Sequence, residues 1–237
     1  MRRLTISFLI AVFAITALSA QDLDKILNDH YKASAQDKIS KITSTTMNGK
    51  LVVMGMETGV TIYQARPLKF RLEAEIMGSK MIQTYNGTTG WTYMPAMGVT
   101  EPREMGTDEL KGVINQANID SPLWDYKDKG NKVELLGTSE DGSANMIKLT
   151  TAEGDEITIY ISRETSLMSK IITIQMAQGM ENEIETELKD YKVVEGIPTA
   201  HYMGSKMGGQ VISAVTFESI EYNRTLDDSL FGMPVIE

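Results

Sequence analysis

From about Thr43 onward, apolar and polar residues alternate singly along much of this chain. Phe70, Leu72, Ala74 and Ile76 are interleaved with Arg71, Glu73 and Glu75. A period of two puts the apolar side chains on one face of a strand and the charged ones on the other. The pattern recurs at Ile157/Ile159/Ile161, at Ile172/Ile174/Met176 and at Ile184/Leu188, the last among Glu183, Glu185 and Glu187. Turn-forming pairs punctuate these runs: Asn48-Gly49, Gly78-Ser79, Asn86-Gly87, Asp141-Gly142, Glu153-Gly154, Gly179 and Gly208-Gly209. One-sided strands joined by short turns predict a single large antiparallel sheet curled around something apolar, an α+β fold that is mainly β. The sequence Met-Gly-Ser-Lys-Met occurs twice, at 77–81 and 203–207. Both copies are expected where two strands meet, with Gly-Ser at the centre of a type II′ turn.

Two stretches depart from this period. Leu23, Ile26, Leu27 and Tyr31 form one helical stripe over residues 22–34, and Asp22 and Asp24 suit the start of a helix. A second short helix is expected around Asp37–Ile42. The sheet pattern then stops between about Pro95 and Gly130. There Thr107 can cap a helix presenting Leu110, Val113, Ile114 and Ala117 on one face, and Pro122 can start a further helical turn carrying Leu123 and Trp124. Such an insert either covers the mouth of the curled sheet or plugs its core.

The chain begins Met1-Arg2-Arg3, continues with an apolar run through Ile15 and reaches the small residues Ala17-Leu18-Ser19-Ala20. That order is the signature of a cleavable export signal, removed after Ala20 or after Ser19. The run is short and broken by Thr5, Ser7 and Thr16, which argues against a membrane span. Residues 21–237 are expected to form one soluble domain outside the cytoplasm. With no cysteine in 237 residues, the leader is not followed by the residue that carries a lipoprotein's lipid. Disulfides are also excluded, so stability must come from a buried core. Losing Arg2 and Arg3 with no acidic residue moves the formal charge from −9 to −11. A surface this acidic repels nucleic acid and anionic headgroups.

Catalytic signatures are thin. The two histidines, His30 and His201, have no zinc spacing; there is no nucleophile elbow and no thiol. The expectation is a protein that is not an enzyme and holds no metal and no cofactor. Methionine is the unusual residue, with 16 against five phenylalanines. Unbranched, polarizable side chains in that number fill cores, and they also suit a wall that re-packs around flexible apolar ligands.

Two segments carry a family resemblance. Tyr63–Leu72 contains Arg66, Pro67 and Phe70 in an Arg-Pro-x-x-Phe pattern. Tyr85–Pro95 contains Asn86, Gly87, Trp91, Tyr93 and Pro95 in an Asn-Gly…Trp-x-Tyr-x-Pro pattern. Both resemble the LolA-like carriers of outer-membrane lipoproteins, as does the Phe231-Gly-Met-Pro234 ending, and the likeness points to a Bacteroidetes-type member. The resemblance implies an open half-barrel of about 11 antiparallel strands with a few helices covering the concave face. It also implies a periplasmic, monomeric carrier that takes acylated lipoproteins or related lipids from an inner-membrane donor transporter to an outer-membrane acceptor. In that family the arginine matching Arg66 holds the helical lid shut. By the same resemblance Phe70, Leu72, Trp91, Tyr93, Met94, Leu123 and Trp124 would line or gate the lipid site. The alternative is a sensor resembling the RseB regulators, which binds a membrane partner.

Overall fold

The computed structural model describes residues 22–53, 55–177 and 180–236; the expected export leader lies outside the described residues. The helices are α1 (22–33), α2 (Gln36–Ile39) and α3 (Thr107–Ala117). The first six strands are β1 (Ser44–Val53), β2 (Met56–Ala65), β3 (Lys69–Ile76), β4 (Ser79–Tyr85), β5 (Gly90–Met94) and β6 (Val99–Glu104). After α3 come β7 (Lys132–Thr138), β8 (Ala144–Thr150), β9 (Glu156–Ser162), β10 (Met168–Ala177), β11 (Met180–Val194), β12 (Ile197–Met207) and β13 (Gln210–Tyr222).

All thirteen strands belong to one open sheet, in the order β6-β5-β4-β3-β2-β1-β13-β12-β11-β10-β9-β8-β7. That is two strands more than the expected number. Each strand pairs antiparallel with its neighbours, and hairpins alternate between two rims of the sheet. The chain's two halves join in the middle, where β1 meets β13.

The helices seat on the concave face over two separate apolar cores. One gathers Leu51, Val60, Ile62, Phe70, Leu72, Ala74, Tyr85, Phe217 and Ile220 from the sheet with Val113 and Ala117 of α3. Leu110 and Ile114 pack against it, so the whole predicted face of α3 is used. The other gathers Ile147, Leu149, Ile159 and Ile161 with Leu27 of α1 and Leu123 of the following turn. Each core is closed by one helix of amphipathic pattern, the arrangement that buries a one-sided sheet.

Several expectations are corrected. Asn48-Gly49 is not a turn but lies inside β1 at a bulge against β13. A Cβ at Gly49 would overlap the Thr216 carbonyl oxygen, so a close backbone approach explains the glycine. Only the first Met-Gly-Ser-Lys-Met is at a turn, and its central pair is Met77-Gly78, both with positive φ, as a type I′ turn requires. The second copy is strand throughout, the end of β12. In β10 the covered face carries Ile171, opposite Ile159, while Ile172 and Ile174 face the other way and Ile174 is 50% exposed. The insert is shorter than expected because 99–104 forms edge strand β6. Gly106, not Thr107, precedes α3, its amide donating to Glu109 Oε2 at 3.0 Å. Residues 122–130 are successive turns rather than helix.

Candidate functional site

Arg66 follows β2 directly, in phase with Gln64, which pairs with Phe70 on the concave face. Its guanidinium occupies the junction of the two helical covers. Nε donates to the Ile42 carbonyl at 2.6 Å and Nη2 to the Ile39 carbonyl at 3.1 Å, which ties down the end of α2. The same group forks onto Asp120, Nη1 to Oδ2 at 2.6 Å and Nη2 to Oδ1 at 2.8 Å. Asp120 lies between α3 and the 122–130 turns, and Gln36 Nε2 also donates to it at 3.2 Å. The side chains are 29% and 14% exposed, so the pair works in a partly dry environment. The Asp120 carboxylate raises the already high pKa of Arg66, and the arginine stays cationic.

Beside it, Gln64 bridges sheet and α3. Its Oε1 accepts from Thr45 Oγ1 at 2.7 Å and its amide donates to the Gln116 carbonyl near the end of the helix. Gly90 does similar work by being small, because a Cβ there would sit 2.9 Å from Leu110 Cδ1 and Met105 Sδ. The α1 cover has its own ties. His30 Nδ1 lies 2.9 Å from the Ser166 carbonyl, so this nitrogen carries the proton and Nε2 accepts from Ser121 Oγ at 3.3 Å. Burial pushes the His30 pKa below its ordinary value, partly opposed by the Ser166 carbonyl. Tyr31 Oη donates to the Leu123 carbonyl at 2.6 Å, and burial raises its pKa to about 12.

The residues singled out in the sequence divide into three groups. Phe70 and Leu72 are buried together beneath α3. Leu123 is buried beneath α1, and Trp124 is half-buried, edge-on to Tyr31 at 5.1 Å. Trp91 and Tyr93 pair in register with Thr84 and Ile82, which places them on the convex face, away from Phe70 and Leu72. On that face Thr84 Oγ1 donates to the Gly232 carbonyl at 3.0 Å and Arg71 Nη1 to the Leu230 carbonyl at 2.8 Å, docking the C-terminal segment. Met94 is half-buried at the end of β5. Asp120, Gln64 and His30 were not singled out as site residues, because their side-chain partners lie 19 to 136 positions away and no local spacing marks them.

Between the two cores the register puts Leu188, Met203 and Val215 in a row across β11–β13 on the concave side, with Thr186 and Ser205 next to them. Met203 is 37% exposed. Leu188 and Met203 belong to neither core, while Val215 packs against the first, and the strip forms the floor of a trough between the two. A cleft of about 290 Å³ opens beside α1, lined by Leu27, Tyr31 and Trp124 among others. A larger one, about 650 Å³, lies over Met146, Tyr160 and Lys170 on the convex face. Among the described residues no group of three or more His, Asp or Glu side chains is placed to hold a metal ion. No helix among them is long and apolar enough to cross a membrane.

Neither a known family model nor a curated protein matches this sequence. Solved structures do match. A DUF1329 family protein from Desulfovibrio piger superposes with a TM-score of 0.58 at 14% identity, over 86% of this chain and 96% of that one. A LolA superfamily protein from Nitrosomonas europaea gives 0.55 at 12% identity, over 81% and 90%. The fold is LolA-like. An outer membrane lipoprotein-sorting protein domain from Vibrio parahaemolyticus adds 0.54 at 10% identity, over 87% and 96%. At these identities the likeness is one of architecture alone.

Proposed function

We propose that this protein is a soluble periplasmic carrier that takes the acyl chains of lipoproteins, or of related lipids, between its concave sheet and its helical covers. The observation that supports this most is the Arg66 junction, one side chain fastening α2 and Asp120 over a sheet with two apolar cores. A few hydrogen bonds of this kind form a latch that a ligand with enough apolar surface overturns. Acyl burial is worth about 0.8 kcal/mol per CH₂. A multi-chain anchor therefore has ample energy to lift α3 off Phe70 and Leu72. Lifting that helix spends part of the gain, which keeps the cargo releasable to an acceptor.

On this reading an inner-membrane donor loads the trough, the carrier works as a monomer without catalysis, and an outer-membrane acceptor empties it. Arg66, Phe70, Leu72 and Leu123 gate or line the site, with Met203 on its floor. The test is lipid extraction from natively purified protein with mass spectrometry, beside titration with a fluorescent fatty acid. Co-purified acyl lipid and saturable probe binding, tightened or accelerated by Arg66→Leu, are expected. Absence of both sinks the carrier. A photo-crosslinker at Met203 then separates the roles: acylated N-termini mean a carrier, a membrane regulator means a sensor.

A further inference from the structure

Antiparallel pairing sends the hairpins alternately to two rims, and the rims differ in chemistry. On one rim, five consecutive hairpins are closed by the pairs Met94–Val99, Ile76–Ser79, Val53–Met56, Met207–Gln210 and Ala177–Met180. Their sequences are Met-Pro-Ala-Met-Gly-Val, Ile-Met-Gly-Ser, Val-Met-Gly-Met, Met-Gly-Gly-Gln and Ala-Gln-Gly-Met. They hold seven of the 16 methionines, and no segment contains a charged residue. The series stops at the next hairpin on that rim, between β8 and β9, which carries Glu153 and Asp155. On the opposite rim, Arg66, Glu140, Asp141, Arg163, Glu164 and Glu195 occupy the turns.

Among the described residues, four of these methionines, Met56, Met77, Met97 and Met207, are exposed. Met77 is 74% exposed, Met97 62% and Met56 40%, and neighbouring Val211 is 56% exposed. Turn chemistry does not account for them. Met77 has a φ of 53°, a position that Asn, Asp or Gly fills more easily, yet an apolar side chain stands there in water. A contiguous line of exposed apolar tips marks an interaction surface. With ten strands spaced about 4.8 Å apart, the line follows an arc of roughly 45 Å.

We propose that this methionine rim seats on a zwitterionic lipid surface, its side chains entering the headgroup layer while the sheet stands above it. Uncharged tips projecting along the strand direction suit shallow insertion into an interface. Flexible, polarizable methionine adapts to a fluid layer better than a branched side chain does. The residues just behind the tips decide the class of lipid. Glu57, Glu75, Glu101, Glu181 and Glu183 outnumber Lys50, Lys80 and Lys206, and Lys50 is already paired with Glu57 at 3.0 Å. An acidic second row is repelled by anionic headgroups and tolerated by zwitterionic ones. The surface is separate from the trough and does not depend on what the trough carries.

The absence of cysteine makes the test direct. Met77→Cys, Met97→Cys and Met207→Cys, each labelled with an environment-sensitive fluorophore, are mixed with vesicles of phosphatidylcholine and phosphatidylethanolamine. Thr88→Cys on the other rim is the control. A blue shift with gain of intensity at the three rim positions and none at 88 is expected. In the triple variant Met77→Ser/Met97→Ser/Met207→Ser the vesicle-bound fraction should fall roughly tenfold, with the circular dichroism spectrum and binding of the fluorescent fatty acid retained. The proposal is overturned by no change at the rim, by equal change at 88, or by a change that needs phosphatidylglycerol. A signal that grows with protein concentration without vesicles overturns it too, since the rim then meets a second copy. So does a triple variant that loses vesicle and fatty-acid binding together, since rim and trough are then one site.

Discussion

Arg66 and Asp120 stand 54 positions apart and meet as a fork on a carboxylate, with two main-chain carbonyls accepting from Nε and Nη2. Lysine carries the same charge but has no planar fork, so Arg66→Lys leaves at least one of these acceptors short of a partner. Unfolding free energy is expected to fall by about 2 kcal/mol in Arg66→Lys and less in Asp120→Asn, which still accepts a hydrogen bond. Urea midpoints measure both, and an unchanged midpoint in Arg66→Lys would remove the latch. His30 carries a pH prediction whose sign follows from its burial. Its folded pKa lies below the unfolded one, so the unfolded chain binds the extra proton first as pH drops. Stability is therefore full above about pH 6.5 and declines as the pH falls from there toward the folded pKa. Thermal melts of the native chain and His30→Asn should converge on acidification. A constant gap between them across that window would mean that folding leaves the His30 pKa where the unfolded chain has it.

α3 is an eleven-residue helix held by one apolar face, Gln64 and the Arg66–Asp120 pair, whereas β1 is bonded along both edges. Its amides should exchange with solvent faster than those of β1, and Arg66→Lys should accelerate α3 while leaving β1 unchanged. Hydrogen exchange by mass spectrometry reads both, and equal acceleration throughout would show that Arg66 supports the fold at large. The face of α3 was legible in the sequence because Leu110, Val113, Ile114 and Ala117 recur at helical spacing. So were β3 and the stripe of α1, where one parity is clearly apolar. β10 was misread because Ile171, Ile172 and Ile174 satisfy both parities, and only pairing with Ile159 decides between them. Trp91 and Tyr93 share a motif with Pro95 but not a face with Phe70, since a motif carries no register. The partners of Arg66 were illegible for a related reason: hydrogen bonds to Ile39 and Ile42 use carbonyls, which every residue has.

The whole molecule is an open sheet, and open sheets must protect their edges. On β6 this falls to Pro102, which has no N–H, with Glu101, Arg103 and Glu104 around it. On β7 Lys132 and Glu134 add charge, and a bulge between Leu135 and Gly137 breaks the ladder. A single sheet also shelters two cores that share none of their central residues. Substitutions that are distant and have no partner in common add their effects. Leu123→Ala in one core should cost about 2–5 kcal/mol. Combined with Phe70→Leu in the other, its effect on unfolding free energy should sum to within about 0.5 kcal/mol; a larger coupling would mean that the cores act as one. Independence of this kind makes the fold modular. Either half of the concave wall can be enlarged, narrowed or softened by mutation without retuning the other, so drift in sequence can reshape one compartment while its neighbour keeps the chain folded.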